Sequence, residues 1–256
     1  MLLAIDCGNT QLVAGVYDGE RLLATWRIRT EAHRTEDEYA ALFAELFRLR
    51  ELSVRDITAV AVCSVVPALV VILGFFAEKY LRVQPLVVNH TTFTGMPLLV
   101  DNPHEVGPDR IVNGVAGFKL YGGPLIVVDF GTATTFDCIS AEGAYLGGAI
   151  APGVETASEA LFAKASRLST VSIYKPLKAI GANTADCLRS GIIWGFAGQV
   201  DGIVNKLLEE LPCARVIATG GLAERIAPQS ATIELVDKDL TLCGLKLIYE
   251  KVSRLP

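Results

Sequence analysis

The chain opens on an apolar run, Leu2 to Ile5, that ends in Asp6 and continues as Cys7, Gly8, Asn9 and Thr10. The pattern returns just short of half the 256-residue length later, as Leu125 to Val128, then Asp129, Phe130, Gly131 and Thr132. A short continuous apolar run bounded by turn residues reads as a buried strand, which puts each Asp at a strand's carboxyl end. The Gly lets the backbone turn tightly and approach a ligand closely. Asn9, Thr10, Thr132 and Thr134 add short donors, and the loops offer backbone N–H groups to phosphate oxygens. One D-x-G is weak, because hairpin turns often read that way. Two at half-length spacing, each between apolar runs, predict a duplicated domain with a nucleotide in the cleft between its halves.

The remaining pattern fits that duplication. Strands at 1–6, 11–17 and 21–28, with a turn at Asp18-Gly19, form a meander. Thr35 and Glu38 make a capping box for a helix over 36–50. Strand 57–63, helix 67–80 and strand 85–89 follow, then a polar, irregular stretch at 90–108 and a helix over 108–121. The second half repeats the plan with strands 125–129, 133–139 and 144–151, the last after a turn at Glu142-Gly143. Helix 153–163 leads to a polar segment, 164–182, read as a mobile loop. Asn183 or Thr184 caps a long helix to about residue 210. Strand 215–219, a short helix, strand 232–235 and a helix over 240–253 close the chain. In chain order the halves divide as 1–107 and 108–256.

Composition narrows the classes. With 51% hydrophobic and 20% charged residues the chain is globular, as an α/β protein with buried strands should be. A net charge of −5 argues against nucleic acid as a partner. The six cysteines are far apart, which reads as reduced thiols in buried strands and helices and not as a disulfide frame or zinc site. The N-terminus enters strand one with no basic region or cleavage site, so no signal peptide is expected. Ile57 to Ala77 runs 21 residues without a charge, long enough to flag a membrane span. Its first part is β-branched, however, and Pro67 starts a separate helical pattern, so a buried strand and a buried helix are expected instead.

Asp6 and Asp129 are the first chemical candidates. Carboxylates near a triphosphate need cations, and hard oxygen ligands suit magnesium or a monovalent ion; each could equally cap its own turn. Gly220 and Gly221, after the apolar strand at 215–219, could admit adenine or ribose, or serve as a plain strand-to-helix turn. In the stretch 101–113, Gly107 and Pro108 open a helix whose first turn carries Asp109 and Arg110. Asp109 could complement the helix dipole, with Arg110 as its partner. It could also accept a proton from a substrate hydroxyl, with Arg110 on a carboxylate or phosphate. His33, His90 and His104 show no ligand spacing. Gly191, Gly195 and Gly198 share a helix face and suit close packing, within the protein or at a dimer seam.

Seven ordered stretches resemble the type III pantothenate kinase family: DCGNT from Asp6, SVVP at 64–67, NPHEVGPDR at 102–110, DFGTATTFD at 129–137, GGAIAPG at 147–153, TGGLA at 219–223 and DLTLCGL at 239–245. The resemblance implies a duplicated actin-like ATPase (ribonuclease H-like) fold and ATP-dependent phosphorylation of pantothenate to 4'-phosphopantothenate. That reaction is the first step of coenzyme A biosynthesis. It further implies a cytoplasmic homodimer, Mg2+ with ATP, and a monovalent cation, K+ or NH4+. Residue by residue, it makes Asp109 the proton acceptor and Gly107, Pro108, Asp109, Arg110 and Thr184 the pantothenate site, where Thr184 could reach in from a neighbouring subunit while also capping its helix. Asp6, Cys7, Gly8, Asn9, Thr10, Gln11, Leu12, Val13, Thr132, Gly220 and Gly221 become ATP contacts, and Asp129 a monovalent-cation ligand. Two departures stand out. Pro108 replaces a frequent Ala, which should stiffen the loop, and Gln11-Leu12 replaces more hydroxyl-rich residues, which could weaken ATP affinity. A sugar or acetate kinase, or a non-catalytic regulator on the same fold, would lack a use for the 102–110 stretch or for Asp109.

Overall fold

The computed structural model describes residues 1–165 and 168–254. The expected mobile loop therefore lies partly outside the described residues; from 168 to 182 it carries neither helix nor strand. The strands are β1 (Leu2–Cys7), β2 (Gln11–Asp18), β3 (Arg21–Arg29), β4 (Ala59–Ser64), β5 (Leu86–Val87), β6 (Leu125–Phe130), β7 (Ala133–Ile139), β8 (Tyr145–Pro152), β9 (Arg215–Gly220) and β10 (Leu235–Val236). The α-helices are α1 (Glu36–Arg48), α2 (Pro67–Phe76), α3 (Pro108–Tyr121), α4 (Val154–Lys164), α5 (Thr184–Glu210), α6 (Ala223–Ile226) and α7 (Leu240–Val252).

These elements make two compact units. The first holds Met1–Met96, Asp101–Ala116 and the chain from Leu240 on; the second holds Pro97–Val100 and Gly117–Asp239. A division at 107/108 follows chain order, whereas residues 108–116 and α7 cluster with the first unit. The cause is apolar: Val112, Leu242, Leu245 and Ile248 pack in one cluster with Leu2, Ala4 and Ala61 of the first sheet.

In the first unit the sheet order is β3-β2-β1-β4-β5, with β1 antiparallel to β2 and parallel to β4. Leu3, Ile5 and Cys7 face a second cluster with α1 and α2, where Tyr39, Phe43 and Phe47 recur at helical spacing and the Phe43 and Phe76 rings lie 5.2 Å apart. The expected capping box is present: Glu38 N donates to Thr35 Oγ1, and Thr35 N donates to Glu38 Oε2 at 2.7 Å. The helix expected to run to residue 80 stays α-helical only to Phe76. Its final turn widens to a π turn over Ala77–Leu81, which keeps Ala77 and Leu81 both buried, and Arg82 ends it at φ 58°.

In the second unit the order is β10-β9-β6-β7-β8, the same connectivity around a central β6. Its core joins β6, β7 and β9 to α5 and α6 through Ile126, Val128, Phe136, Ile193, Val200 and Ile226. Thr134 departs from expectation: it is wholly buried in β7, on the face of Phe136, so its hydroxyl is not a loop donor. Asn183, not Thr184, caps α5, with Asp186 N donating to Asn183 Oδ1 at 2.9 Å. A Cβ placed on Gly191, Gly195 or Gly198 would meet nothing within 4 Å, so these glycines serve no close packing within the described chain. Of the six cysteines, Cys187 and Cys213 are exposed and Cys213 lies in a turn, contrary to a wholly buried set. No helix among the described residues is long and apolar enough to cross a membrane.

Candidate functional site

Sheet register places the first carboxylate. Asp6 is the fifth residue of β1, opposite Cys63 of β4 on one side and Val13 of β2 on the other, and Val13 in turn faces Arg27 of β3. Residues opposite one another share a sheet face. Asp6 thus lies on the same face as Leu2 and Ala4, the face packed by α3 and α7, but at its carboxyl end where apolar cover stops. The Cys63 thiol donates to Asp6 Oδ1 at 3.1 Å. Burial pushes the Asp6 carboxyl up to about 7; the Cys63 hydrogen bond and the Arg27 charge oppose the rise, and the negative charge of Asp109 adds to it. Burial and the adjacent carboxylate hold the Cys63 thiol well above its ordinary value, so it remains a donor.

The turn after β1 is held from two sides. Gly8 N donates to Gln11 O at 3.0 Å, while Thr30 Oγ1 donates to Gly8 O at 2.7 Å and Thr30 N to Thr10 O at 3.0 Å. Asn9, Thr10 and Gln11 are exposed at its tip. Cys7 and Leu12 are fully buried in the cluster beneath α1 and α2, so any ligand contact from them would be through backbone. Arg27 Nη1 reaches Gln11 Oε1 at 3.5 Å, which brings a cation beside the tip.

Asp109 follows Pro108, the first residue of α3, a place where proline fits because the missing N–H has no helical partner. Its Oδ1 accepts from Arg110 N at 3.0 Å, and Arg110 N and Ile111 N both approach Gly107 O. A Cβ on Gly107 would overlap Asp109 Oδ1, so only glycine leaves the carboxylate this position. Burial raises the Asp109 carboxyl, against the Arg110 N–H and the Arg110 charge. The first unit therefore gathers Asp6, the 8–13 segment, Gly107, Pro108, Asp109 and Arg110. Such a site has two carboxylates raised by burial, exposed donors and a nearby arginine, a set that suits the hydroxyl and phosphates of a phosphoryl transfer.

In the second unit Asp129 is the fifth residue of β6, opposite Thr219 of β9 and Thr135 of β7. Gly131 N closes the following turn on Ala133 O at 3.0 Å, and Thr132 O accepts from Thr156 Oγ1 at 2.7 Å. Gly220 has φ 95°, and a Cβ there would overlap Asp129 Oδ1 and crowd Phe130 N. Glycine thus lets the Asp129 carboxylate lie directly against the end of β9. Oxygen donors of this kind fit a weakly held monovalent ion, and no group of three or more His, Cys, Asp or Glu suited to a metal occurs among the described residues. Gly221 is exposed next to Gly220. Thr184 instead rims a shallow apolar groove of about 400 Å³ between α4 and α5, with Leu161, Cys187, Leu188 and Gly191.

Cys63 and Arg27 are the residues that sequence reasoning missed. Each belongs to a strand that the pattern located, but what joins them to Asp6 is register, which no local signal carries. His90 and His104, distant in sequence, also meet, with ring centroids 6.4 Å apart.

The duplicated sheet and these strand-end carboxylates define an actin-like ATPase fold. The activator of 2-hydroxyisocaproyl-CoA dehydratase from Clostridium difficile, solved with bound ADPNP, is similar at TM-score 0.58 over 100% of this chain and 98% of its own, with 12% identity. The family is fixed by sequence. A profile described as type III pantothenate kinase matches residues 2–206. A type III pantothenate kinase from Desulfatibacillum aliphaticivorans is 53% identical over 99% of each chain, and one from Geobacter sulfurreducens 52% identical over 98% of this chain and 99% of its own. The chain belongs to the type III pantothenate kinase family.

Proposed function

We infer that the chain catalyses the ATP-dependent phosphorylation of pantothenate to 4'-phosphopantothenate, the first step of coenzyme A biosynthesis and the reaction of its family. The observation that carries the residue-level reading is the Asp109 carboxyl at the head of α3, raised by burial and close enough to Asp6 to act on it electrostatically. Asp109 accepts the proton of the primary hydroxyl as its oxygen attacks the γ-phosphorus of ATP, and ADP leaves. A carboxylate raised toward neutral pH is a better proton acceptor than an ordinary one. Arg110 and the Gly107-Pro108 backbone hold pantothenate, Arg110 on its carboxylate.

Asp6 and the backbone of Gly8 to Val13 bind the ATP phosphates, which arrive with Mg2+; Thr132 gives a further phosphate contact, and Gly220 and Gly221 lie along the nucleotide. Positioning and charge neutralisation do most of the work in such a transfer. K+ or NH4+ sits at Asp129, a reading supported by the oxygen-bearing Thr219 and Thr135 in its cross-strand row. The protein works as a cytoplasmic homodimer, with Thr184 contributing to the pantothenate site. The exposed, uncovered face of Gly191, Gly195 and Gly198 on α5 supports a seam at that helix.

The test is ATP-dependent phosphorylation by the purified protein, with pantothenate, glucose and acetate as acceptors, each with and without K+ or NH4+. Product from pantothenate alone, dependent on the cation, is the expected result. Transfer to glucose or acetate instead, or no transfer by a folded protein that binds ATP, would overturn it.

A further inference from the structure

The head of α3 carries Asp109, but the body of the helix fixes its height. Val112 and Asn113, at the next turn, are both buried, and both meet α7, which joins the sequence more than a hundred residues later. Thr241 Oγ1, in the first turn of α7, donates to Asn113 Oδ1 at 2.7 Å, and Asn113 is 1% exposed. One turn on, Gly244 lies against the Val112 backbone: a Cβ there would overlap Val112 O and come within 2.6 Å of Val112 Cγ1. The opposing atom is a helix carbonyl, which cannot swing aside as a flexible side chain would. One contact is a directional hydrogen bond and the other a steric stop. Leu242 and Leu245, on either side of Gly244, seal the same face with apolar contact that has no directional preference.

We propose that Thr241 and Gly244 are positioning residues for Asp109, setting the axial register of α3 so that its first turn presents the carboxylate beside Asp6. The inference rests on Asp109 as the proton acceptor. It gives the 239–245 stretch a role that the site residues alone leave without one. Asn113 is four residues after Asp109, on the same side of the helix, so a shift at Asn113 is carried to Asp109 by a rigid turn. A displacement of about 1 Å at a reacting group can cost as much as about 100-fold in rate.

The experiment compares steady-state kinetics and melting temperature for Thr241→Val, Thr241→Ser, Gly244→Ala, Asp109→Asn and the Asp109→Asn/Thr241→Val double variant. Thr241→Val should lose about 10-fold in kcat with KM for ATP within about 2-fold, and Thr241→Ser, which keeps the hydroxyl, should restore kcat. Gly244→Ala should lose more; if it does not fold, the Thr241 pair decides. The double variant should turn over no more slowly than Asp109→Asn alone, because Thr241 acts through Asp109. Unchanged kcat in Thr241→Val, or a double variant slower by the full product of the single losses, would overturn the proposal while leaving Asp109 as acceptor. Near-normal turnover in Asp109→Asn would instead remove the reading on which it rests.

Discussion

Asp6 and Asp129 occupy equivalent places, each the fifth residue of a central strand flanked by one antiparallel and one parallel neighbour. Their cross-strand rows differ. Around Asp6 the row reads Cys63, Asp6, Val13, Arg27; around Asp129 it reads Thr219, Asp129, Thr135, Ile150. In the first row the carboxyl is raised to about 7, meets a thiol donor and feels a second carboxylate and an arginine. In the second, threonines flank the carboxylate and Gly220 lets it lie against the strand end. The two halves share a backbone slot and differ in what surrounds it, a thiol and an arginine around one carboxylate and threonines around the other.

The sharpest way to break that contrast is Asp6→Asn. Turnover should fall on the order of 1,000-fold, the scale of a lost electrostatic contact to reacting phosphates. Stability should move the other way. Because the folded Asp6 titrates near 7 and not near 4, the folded state holds a proton that the unfolded chain has released between those values, so stability is lost as pH rises through that window. Asp6→Asn removes the cost, so its Tm at pH 8 should exceed the parent's by about 3 °C or more, with the gap closing below pH 5. A lower Tm at pH 8 would mean that Asp6 is held by favourable partners and not against its burial.

Asp129→Ala comes next, with a loss on the order of 100-fold and, more telling, a rate that no longer responds to K+ or NH4+. An intact cation response would move the ion elsewhere. Gly220→Ala should cost about 1–3 kcal/mol in stability for the strained backbone, seen in urea melts, and should weaken cation activation because the methyl overlaps Asp129 Oδ1 and displaces the carboxylate. The smallest effect belongs to Arg27→Gln, a rise of about 3-fold in KM for ATP, the scale of an exposed charge contact. A rise of the same size in KM for pantothenate alone would reassign Arg27 to the other substrate.

What the sequence made legible was local. Asp-x-Gly after an apolar run, Thr35 with Glu38, and Pro108 before Asp109 each act within a few residues, and the elements they predict form close to where expected. What stayed hidden depends on register and on distant chain. Cys63 meets Asp6 only because β1 and β4 align in parallel with Asp6 opposite it, and a shift of one residue would have turned Cys63 to the other face. Thr134 points inward for the same reason of alternation. Residues from 240 on belong with the first unit because α7 buries leucines on its sheet, which chain order does not reveal. The contact of Gly220 with Asp129 is the least legible part, since Gly220 matters for a side chain it must not have.

The central claim is that Asp109 takes the hydroxyl proton, and one variant tests it most directly. Asp109→Asn keeps the size of the side chain and removes its basicity. It should fold, bind ATP and pantothenate with affinities near those of the parent by calorimetry, and lose at least about 100-fold in turnover. Near-normal turnover in that variant, with binding intact, would contradict the account.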